Sequence, residues 1–180
     1  QVAFKCSVDN PRLDFEINAL GTFNLLEATR LYCADAIFVY ASTNQVYGEL
    51  KIEPIKEYKS RFDFLKLKSG VPETYPVDFL SPYGCSKGAG DMYVQDYARV
   101  YGMKTVVARF GGIYGDNQYS YEDHGWVSYI SEMVRTNSDF NRFGHGKQVR
   151  DILYISDIVK AISLMITNIE SISGEAFNIE

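Results

Sequence analysis

The sequence predicts an α/β fold, with a mostly parallel sheet flanked by helices. Two short apolar runs, 36–41 and 104–109, are typical of strands that are buried on both faces. Two longer segments, 14–31 and 82–101, carry the three- and four-residue periodicity of helices. Strands that alternate with helices indicate βαβ units, and such units bring successive strands together in parallel.

The two long helices carry sequence signals at their ends. The first follows the turn signal Asp9-Asn10-Pro11 and bears an apolar stripe that ends at a charged residue (Phe15, Ala19, Phe23, Leu26, Arg30). The second begins at Ser81, a good N-cap, and Pro82, a good first helical residue. We expect this helix to end at Gly102, because glycine readily adopts the left-handed conformation that closes a helix.

The remaining elements are shorter. We expect a helix over 126–135, a strand within 149–155, and a helix over 157–167 with Ser156 as its cap. Residues 49–80 combine charged residues, prolines and aromatics without a clear period, which predicts a long surface loop.

Composition and charge argue against several classes of function. The 180 residues carry a net charge of −5 and no basic cluster, so nucleic acids and membrane surfaces are poor partners. The cysteines, Cys6, Cys33 and Cys85, are odd in number and far apart, which favours a reducing, cytoplasmic compartment. His124 and His145 form no zinc pattern, and we expect no metal.

Tyr83 and Lys87 form the first candidate catalytic pair. They are four residues apart near the start of a helix, so their side chains share one face. An ammonium group beside a phenol is expected to lower the pKa of the phenol and favour proton transfer. Taken alone the pair is weak, because a solvated helix face produces the same spacing.

Ser42 and Thr43 come directly after the predicted strand 36–41. Open α/β sheets bind ligands at the carboxyl ends of their strands, so the Thr43 hydroxyl is expected to meet the same substrate oxygen as Tyr83. The alternative is a strand-end turn in which both hydroxyls bind local backbone groups.

Several motifs resemble one known family. They comprise Asn18-x-x-Gly21-Thr22, Ser42-Thr43-Asn44 with Val46-Tyr47-Gly48, and the segments 81–87, 109–115 and 146–151. In this order they are similar to motifs of the extended short-chain dehydrogenase/reductases, the NAD-dependent epimerases and dehydratases. The resemblance covers nearly the whole chain. It implies a Rossmann-type parallel sheet and a nucleotide-sugar substrate.

Within the family, segments 42–44, 81–91, 125–127 and 146–151 resemble those of CDP-sugar 2-epimerases. The resemblance implies that tightly bound NAD oxidises a sugar carbon and returns the hydride to the other face of the keto-sugar. It also implies the residue roles. Tyr83 would be the general acid/base, Lys87 its electrostatic partner and the anchor of the cofactor ribose, and Thr43 the hydroxyl that orients the sugar. Four further residues would contact ligands (Asn18 and Ser42 the cofactor, Arg150 the diphosphate, Trp126 the base or sugar).

Each of these further assignments has a simpler alternative. Asn18 is also typical of a solvated helix face, Trp126 of core packing, and Arg150 of an ion pair with Asp151 or Asp157. Cys85 is expected to be a buried structural thiol, facing away from its catalytic neighbours.

The resemblance leaves the reaction open within the family. A UDP-sugar 4-epimerase would use the same three catalytic residues, and a catalytically inactive binding module is the third possibility. Dehydratases carry Asp-Glu where this chain has Asn44-Gln45, and neutral amides cannot protonate a leaving hydroxyl. The pair Gly111-Gly112 replaces bulkier or polar residues of relatives, which would widen the pocket, loosen the substrate or mark a protein that has drifted from the ancestral activity.

The resemblance also predicts the domain organisation. Residues 1–115 would be a partial dinucleotide-binding domain, and 116–180 a mixed segment that begins a smaller substrate domain. The glycine-rich fingerprint of the first strand is absent, and residues 177–180 resemble the inside of a strand, so we expect an incomplete sheet. In relatives the helices near 14–31 and 84–101 pack between subunits, which implies a homodimer or homotetramer.

Overall fold

A three-stranded parallel sheet is the centre of the protein. In the computed structural model, which describes residues 4–119, 124–140 and 147–180, the strand order is β1-β4-β7. These strands are β1 (Phe38–Thr43), β4 (Thr105–Phe110) and β7 (Ala176–Ile179). Every residue of the central strand, β4, is buried. The predicted parallel sheet is therefore confirmed, and so is the strand predicted at the end of the chain.

Side chains of β4 alternate between two cores, one on each face of the sheet. Val107 packs with Leu26, Val94 and Tyr97, which come from the two long helical segments. The opposite core contains Val106, Ala108 and Phe110 together with residues from a strand and two helices later in the chain (Leu153, Ile158, Met165, Ile169). Burial on both faces explains why this strand is continuously apolar.

The first predicted helix is a composite of three helical segments. They follow α1 (Phe4–Asp9) and comprise α2 (Pro11–Phe15), a π-helical turn (Glu16–Leu20) and α3 (Gly21–Tyr32). The predicted stripe is partly wrong, because Phe15 is 55% exposed whereas Leu26 is fully buried. A π-turn adds one residue to a turn and so shifts which side chains face the core.

Helix α4 (Pro82–Tyr101) has the two predicted caps. The Ser81 hydroxyl accepts a hydrogen bond from the Gly84 N–H at 3.0 Å, and Pro82 occupies the first turn. Gly102 closes the helix in the left-handed conformation, with φ +67°, and its N–H donates to the Ala98 carbonyl at 2.9 Å. The Ser81 cap fixes where the helix starts, and therefore where Tyr83 lies.

Helix α5 (Trp126–Arg135) matches its predicted range, and α6 (Ile155–Thr167) starts two residues earlier than predicted. The short helix α7 (Ile169–Ile172) was not predicted. The predicted cap of α6 is wrong, because Tyr154 is the N-cap residue and no side chain caps this helix. Two strands pair in parallel beside the central sheet, β5 (Gly112–Tyr114) and β6 (Ile152–Tyr154).

The predicted surface loop, 49–80, contains no buried residue. It does contain a small antiparallel pair that periodicity did not indicate, β2 (Ile55–Glu57) with β3 (Phe62–Phe64). Three-residue strands are too short for their period to be recognised. In the described ranges, no helix is long and apolar enough to cross a membrane.

Candidate active site

The catalytic candidates meet at the carboxyl edge of the parallel sheet. Strand β1 ends at Thr43, and helix α4 begins at Pro82 on the same side, so Thr43 and Tyr83 come together. Both side chains are buried, with 6% and 8% of their surfaces exposed. The Thr43 hydroxyl also accepts a hydrogen bond from the Gln45 N–H at 3.3 Å, which caps a short 3₁₀ turn. The predicted local turn and the predicted meeting with Tyr83 therefore coexist.

The pKa of Tyr83 is raised, which contradicts the lowering expected from Lys87. Burial is the main cause, since it disfavours the phenolate, and the nearby Asp14 carboxylate adds to the rise. A hydrogen bond with Thr43 acts in the opposite direction and lowers the pKa. The four-residue spacing correctly placed Tyr83 and Lys87 on one turn of the same helix. It carried no information on how deeply Tyr83 is buried.

The ammonium group of Lys87 lies over an aromatic ring. Its Nζ is 4.6 Å from the centroid of Tyr40, whose hydroxyl donates to the Lys87 carbonyl oxygen at 3.2 Å. Burial lowers the pKa of Lys87, while the carboxylates of Asp14 and Asp91 raise it. Tyr83 and Lys87 therefore share one charged neighbour, Asp14.

Asn18 belongs to a buried polar cluster on the same side of α4. Its amide donates to Asp14 at 3.1 Å and to Ser86 at 3.2 Å, and Ser86 donates to Asp14 at 2.5 Å. Asn18 is only 6% exposed, so the solvated-face alternative is wrong. The cluster places Asn18 against the turn of α4 that separates Tyr83 from Lys87. Asp14 and Ser86 were missed because nothing in the sequence relates two distant helices.

Ser42 joins a second buried network, centred on an ion pair. Its hydroxyl donates to Asp91 at 2.7 Å, rather than to local backbone as the alternative had it. Asp91 forms a bidentate pair with Arg109, with both N–O distances at 2.9 Å. The Arg109 guanidinium donates further to the Tyr47 hydroxyl at 2.7 Å, which in turn donates to Asn178 at 2.8 Å.

This second network connects all three strands of the sheet with α4. Ser42 and Arg109 are direct partners in the β1–β4 register, and Arg109 and Asn178 are partners in the β4–β7 register. Among the described residues, no buried side-chain nitrogen or oxygen lacks a hydrogen-bond partner. The network therefore holds the three strands and α4 in one arrangement. Its central residue, Asp91, lies one turn of α4 beyond Lys87.

Of the alternatives for the Gly111-Gly112 pair, a wider pocket is wrong at Gly111. A Cβ atom added to Gly111 would lie 1.7 Å from a carboxylate oxygen of Asp151, so that side chain fills the space. The same carboxylate accepts a hydrogen bond from the Asn44 amide at 3.3 Å. Asp151 thus lies beside the residue that follows Thr43, although the sequence suggested only an ion pair for it.

Trp126 and Arg150 lie next to this edge without joining the catalytic group. Trp126 is 45% exposed, which contradicts core packing, and its indole nitrogen would be 3.6 Å from a Cβ at Gly112. Arg150 is exposed, and within the described ranges it forms no ion pair with Asp151 or Asp157. Asp157 instead pairs with Lys160.

Three other predicted features have separate outcomes. Cys85 is exposed, so the prediction of a buried thiol is wrong. Gly146, which opens the last family motif, and His145 lie outside the described residues.

Comparisons with known proteins agree with this architecture. The model of the NAD dependent epimerase/dehydratase family matches residues 3–179. The chain is 44% identical to CDP-paratose 2-epimerase of Salmonella typhi, over 99% of this chain and 54% of that protein. It therefore spans about half the length of the curated relatives it matches.

Two solved structures share the fold. UDP-glucose 4-epimerase from Thermotoga maritima, solved with UDP-glucose, matches with a TM-score of 0.81 and 32% identity, over 99% of this chain and 52% of that one. The Thermus thermophilus UDP-glucose 4-epimerase complex with NAD matches with a TM-score of 0.78 and 33% identity, over 99% and 53%. The site geometry, the family match across almost every residue and these likenesses agree, and the chain belongs to the NAD dependent epimerase/dehydratase family.

Proposed function

We propose that the protein is an NAD-dependent nucleotide-sugar epimerase that acts through a transient keto-sugar. We further propose a CDP-linked sugar inverted at C2, as in the conversion of CDP-paratose to CDP-tyvelose. The observation that carries the proposal is the buried meeting of Thr43 and Tyr83 at the carboxyl edge of the sheet, with Lys87 one turn further along α4. The 44% identity to CDP-paratose 2-epimerase supports the choice of substrate.

The residues at this edge suit NAD. Lys87 is half-buried, and its ammonium faces a ring rather than a contacting carboxylate, which leaves its donors for ribose hydroxyls. When bound, the cofactor supplies the hydride acceptor and donor for the sugar carbon. Tyr83 and Lys87, with Asn18 and Ser42 behind them, would lie on its side of the site, within the proposed dinucleotide-binding part, 1–115. The substrate elements would come from 116–180.

Proton transfer falls to Tyr83 in this proposal. Its phenol oxygen would take the hydroxyl proton of the sugar as the carbon is oxidised and return it when the carbonyl is reduced. Thr43 would donate to or accept from the same sugar oxygen, which its hydrogen bond with Tyr83 supports. Because burial raises the pKa of Tyr83, a positive charge near the phenol must offset this, and Lys87 is the nearest candidate on α4.

Exchange with solvent tests the reaction type. In deuterated water, the product of the full natural chain is expected to contain no deuterium at the inverted carbon, measured by NMR and mass spectrometry. The reason is that the hydrogen leaves and returns as hydride, which does not exchange with water. Deuterium at that carbon would contradict the proposal and indicate deprotonation instead.

Arg150 is proposed to bind the diphosphate of the substrate. Its exposed guanidinium has no competing ion pair with Asp151 or Asp157, and its fork suits paired phosphate oxygens. Arg150→Ala is expected to weaken nucleotide-sugar binding by about 2 kcal/mol, as for a charge-assisted hydrogen bond. Calorimetric titration measures the loss, with Arg135→Ala, whose partner is the surface residue Glu132, as the control. An affinity equal to that of the wild type would leave Arg150 without a role.

A UDP-sugar 4-epimerase is the second candidate. The likeness to the Thermotoga maritima enzyme solved with UDP-glucose favours it. A panel of CDP- and UDP-sugars distinguishes the two, since the candidates share the catalytic residues and differ in the base and in the inverted carbon. Absence of turnover with every sugar, despite bound NAD, would favour a catalytically inactive binding module. The neutral Asn44 and Gln45 continue to argue against dehydration.

We also propose a homo-oligomer, a dimer or tetramer. Helices α3 and α4 expose large apolar side chains that a partner would cover (Leu25, Leu31, Met92, Val100). Light scattering on the full natural chain is expected to give at least twice the mass of one chain. A single-chain mass at micromolar concentration would contradict this.

The three cysteines are free and exposed, which supports the proposed cytoplasmic location.

A further inference from the structure

Three elements converge beside Thr43, and one carboxylate connects them. Strand pairing between β5 and β6 sets Gly112 opposite Ile152, so the preceding residues, Gly111 and Asp151, also face each other. The Gly112 N–H donates to the Asp151 carbonyl at 3.2 Å, which fixes the Asp151 backbone. The Asp151 carboxylate then occupies the space that a side chain at position 111 would need.

That carboxylate receives the side-chain amide of Asn44. The Asn44 Nδ2 donates to Asp151 Oδ1 at 3.3 Å, across 107 positions of the sequence. An ionised carboxylate only accepts hydrogen bonds, so it selects the NH₂ end of the amide and sets its orientation. The amide oxygen and the second N–H then remain for another partner. Asn44 is exposed and follows Thr43 directly, so these groups lie at the proposed substrate edge.

We propose that Asp151 is a positioning residue, and that the Asn44 amide it orients contacts a hydroxyl of the sugar. This inference rests on the proposed function and identifies which part of the substrate is recognised. A sugar hydroxyl suits this place better than phosphate does, because the Asp151 carboxylate would repel an anion. Burial raises the pKa of Glu180, and the negative charge of Asp151 raises it further. Arg150, the residue before Asp151 in the chain, would bind the diphosphate instead.

The arrangement is consistent with two sequence features together. A side chain at position 111 would collide with the Asp151 carboxylate, and the amide of Asn44 can donate a hydrogen bond to that carboxylate. Gly111→Ala therefore disturbs Asp151 without changing any charge. Asn44→Ala removes the amide from an exposed position, where folding depends on it least.

The test compares binding of CDP-paratose and of CDP by calorimetry in the full natural chain with NAD. Asn44→Ala, Asp151→Ala and Gly111→Ala are each expected to weaken CDP-paratose binding by about 5- to 10-fold. Each should change CDP binding less than about twofold, because CDP lacks the sugar. The double variant Asn44→Ala/Asp151→Ala should bind no more weakly than either single variant, since both remove one contact. Asp157→Ala is the control, a surface carboxylate paired with Lys160.

Several results would overturn the inference. Equal losses for CDP and CDP-paratose would mean a structural role only. Unchanged binding by Asn44→Ala, the variant least able to disturb folding, would remove the sugar contact. Additive losses in the double variant would show that Asp151 does not act through Asn44. If the wild type binds no CDP- or UDP-sugar at all, the proposed function itself is wrong. That outcome is distinct from the others, because it concerns the wild type and not the variants.

Discussion

Replacing Tyr83 with phenylalanine is expected to lower kcat for epimerisation by about 10²- to 10⁴-fold, the usual contribution of a positioned acid or base. The substitution removes one oxygen and keeps a ring that is 8% exposed, so packing is preserved. NAD binding should stay close to that of the wild type, because Lys87 and the Asp14 cluster are unchanged. Steady-state kinetics gives kcat, and absorbance of the purified protein gives its bound cofactor.

Tyr93→Phe is the matched control for this experiment. Tyr93 lies on the same helix, ten positions further on, and its side chain is 48% exposed. Loss of its hydroxyl should leave kcat unchanged within about twofold, a free-energy difference below about 0.5 kcal/mol. If Tyr83→Phe and Tyr93→Phe had the same kcat, the acid/base assignment would be wrong, whatever else the protein binds.

The burial of Tyr83 makes the role of Lys87 more demanding than the sequence suggested. In the described arrangement burial raises the pKa of the phenol, and the Lys87 ammonium faces the Tyr40 ring. Proton transfer near neutral pH requires a phenol with a lower pKa, since the best catalytic pKa lies near the working pH. Ligand binding would therefore have to bring positive charge closer to the Tyr83 oxygen, by movement of Lys87 or by the ligand itself.

Local signals predicted the helix and strands that carry the candidate site. The Ser81-Pro82 cap and Gly102 defined α4, and the apolar runs located β1 and β4, because these features depend on neighbours within a few residues. Once parallel strands were expected, the meeting of Thr43 with Tyr83 followed from the rule that such sheets bind ligands at one edge.

What the sequence did not predict depends on contacts between distant segments. Asp91 and Arg109 are 18 positions apart, on a helix and a strand. The sequence alone does not distinguish either of them from an exposed charged residue. Gly111 was interpreted as empty space because its occupant, Asp151, is 40 positions away. Ser156 has a good capping side chain, yet the helix starts one residue earlier, directly from β6. In each case packing decides, and pattern alone cannot reveal it.

The Asp91–Arg109 pair is where a substitution should cost the most stability. Asp91 is 0% and Arg109 is 3% exposed, and two parallel hydrogen bonds of 2.9 Å join them. Asp91 also accepts hydrogen bonds from Ser42 and Gln95, each at 2.7 Å. Removing this carboxylate therefore leaves a buried guanidinium without its counter-charge and two polar side chains without their acceptor.

Asp91→Ala is accordingly expected to reduce the free energy of unfolding by about 3–5 kcal/mol, the range for breaking one partner of a buried ion pair. Urea denaturation followed by circular dichroism measures it, with Glu132→Ala as the control, because the Glu132–Arg135 pair is exposed and should contribute little. The double variant Asp91→Leu/Arg109→Met should recover part of the loss, since an apolar pair leaves no buried charge. A loss from Asp91→Ala no larger than that of the control would contradict the network. If the double variant were instead less stable than the single one, the cost would come from packing rather than from the unpaired charge.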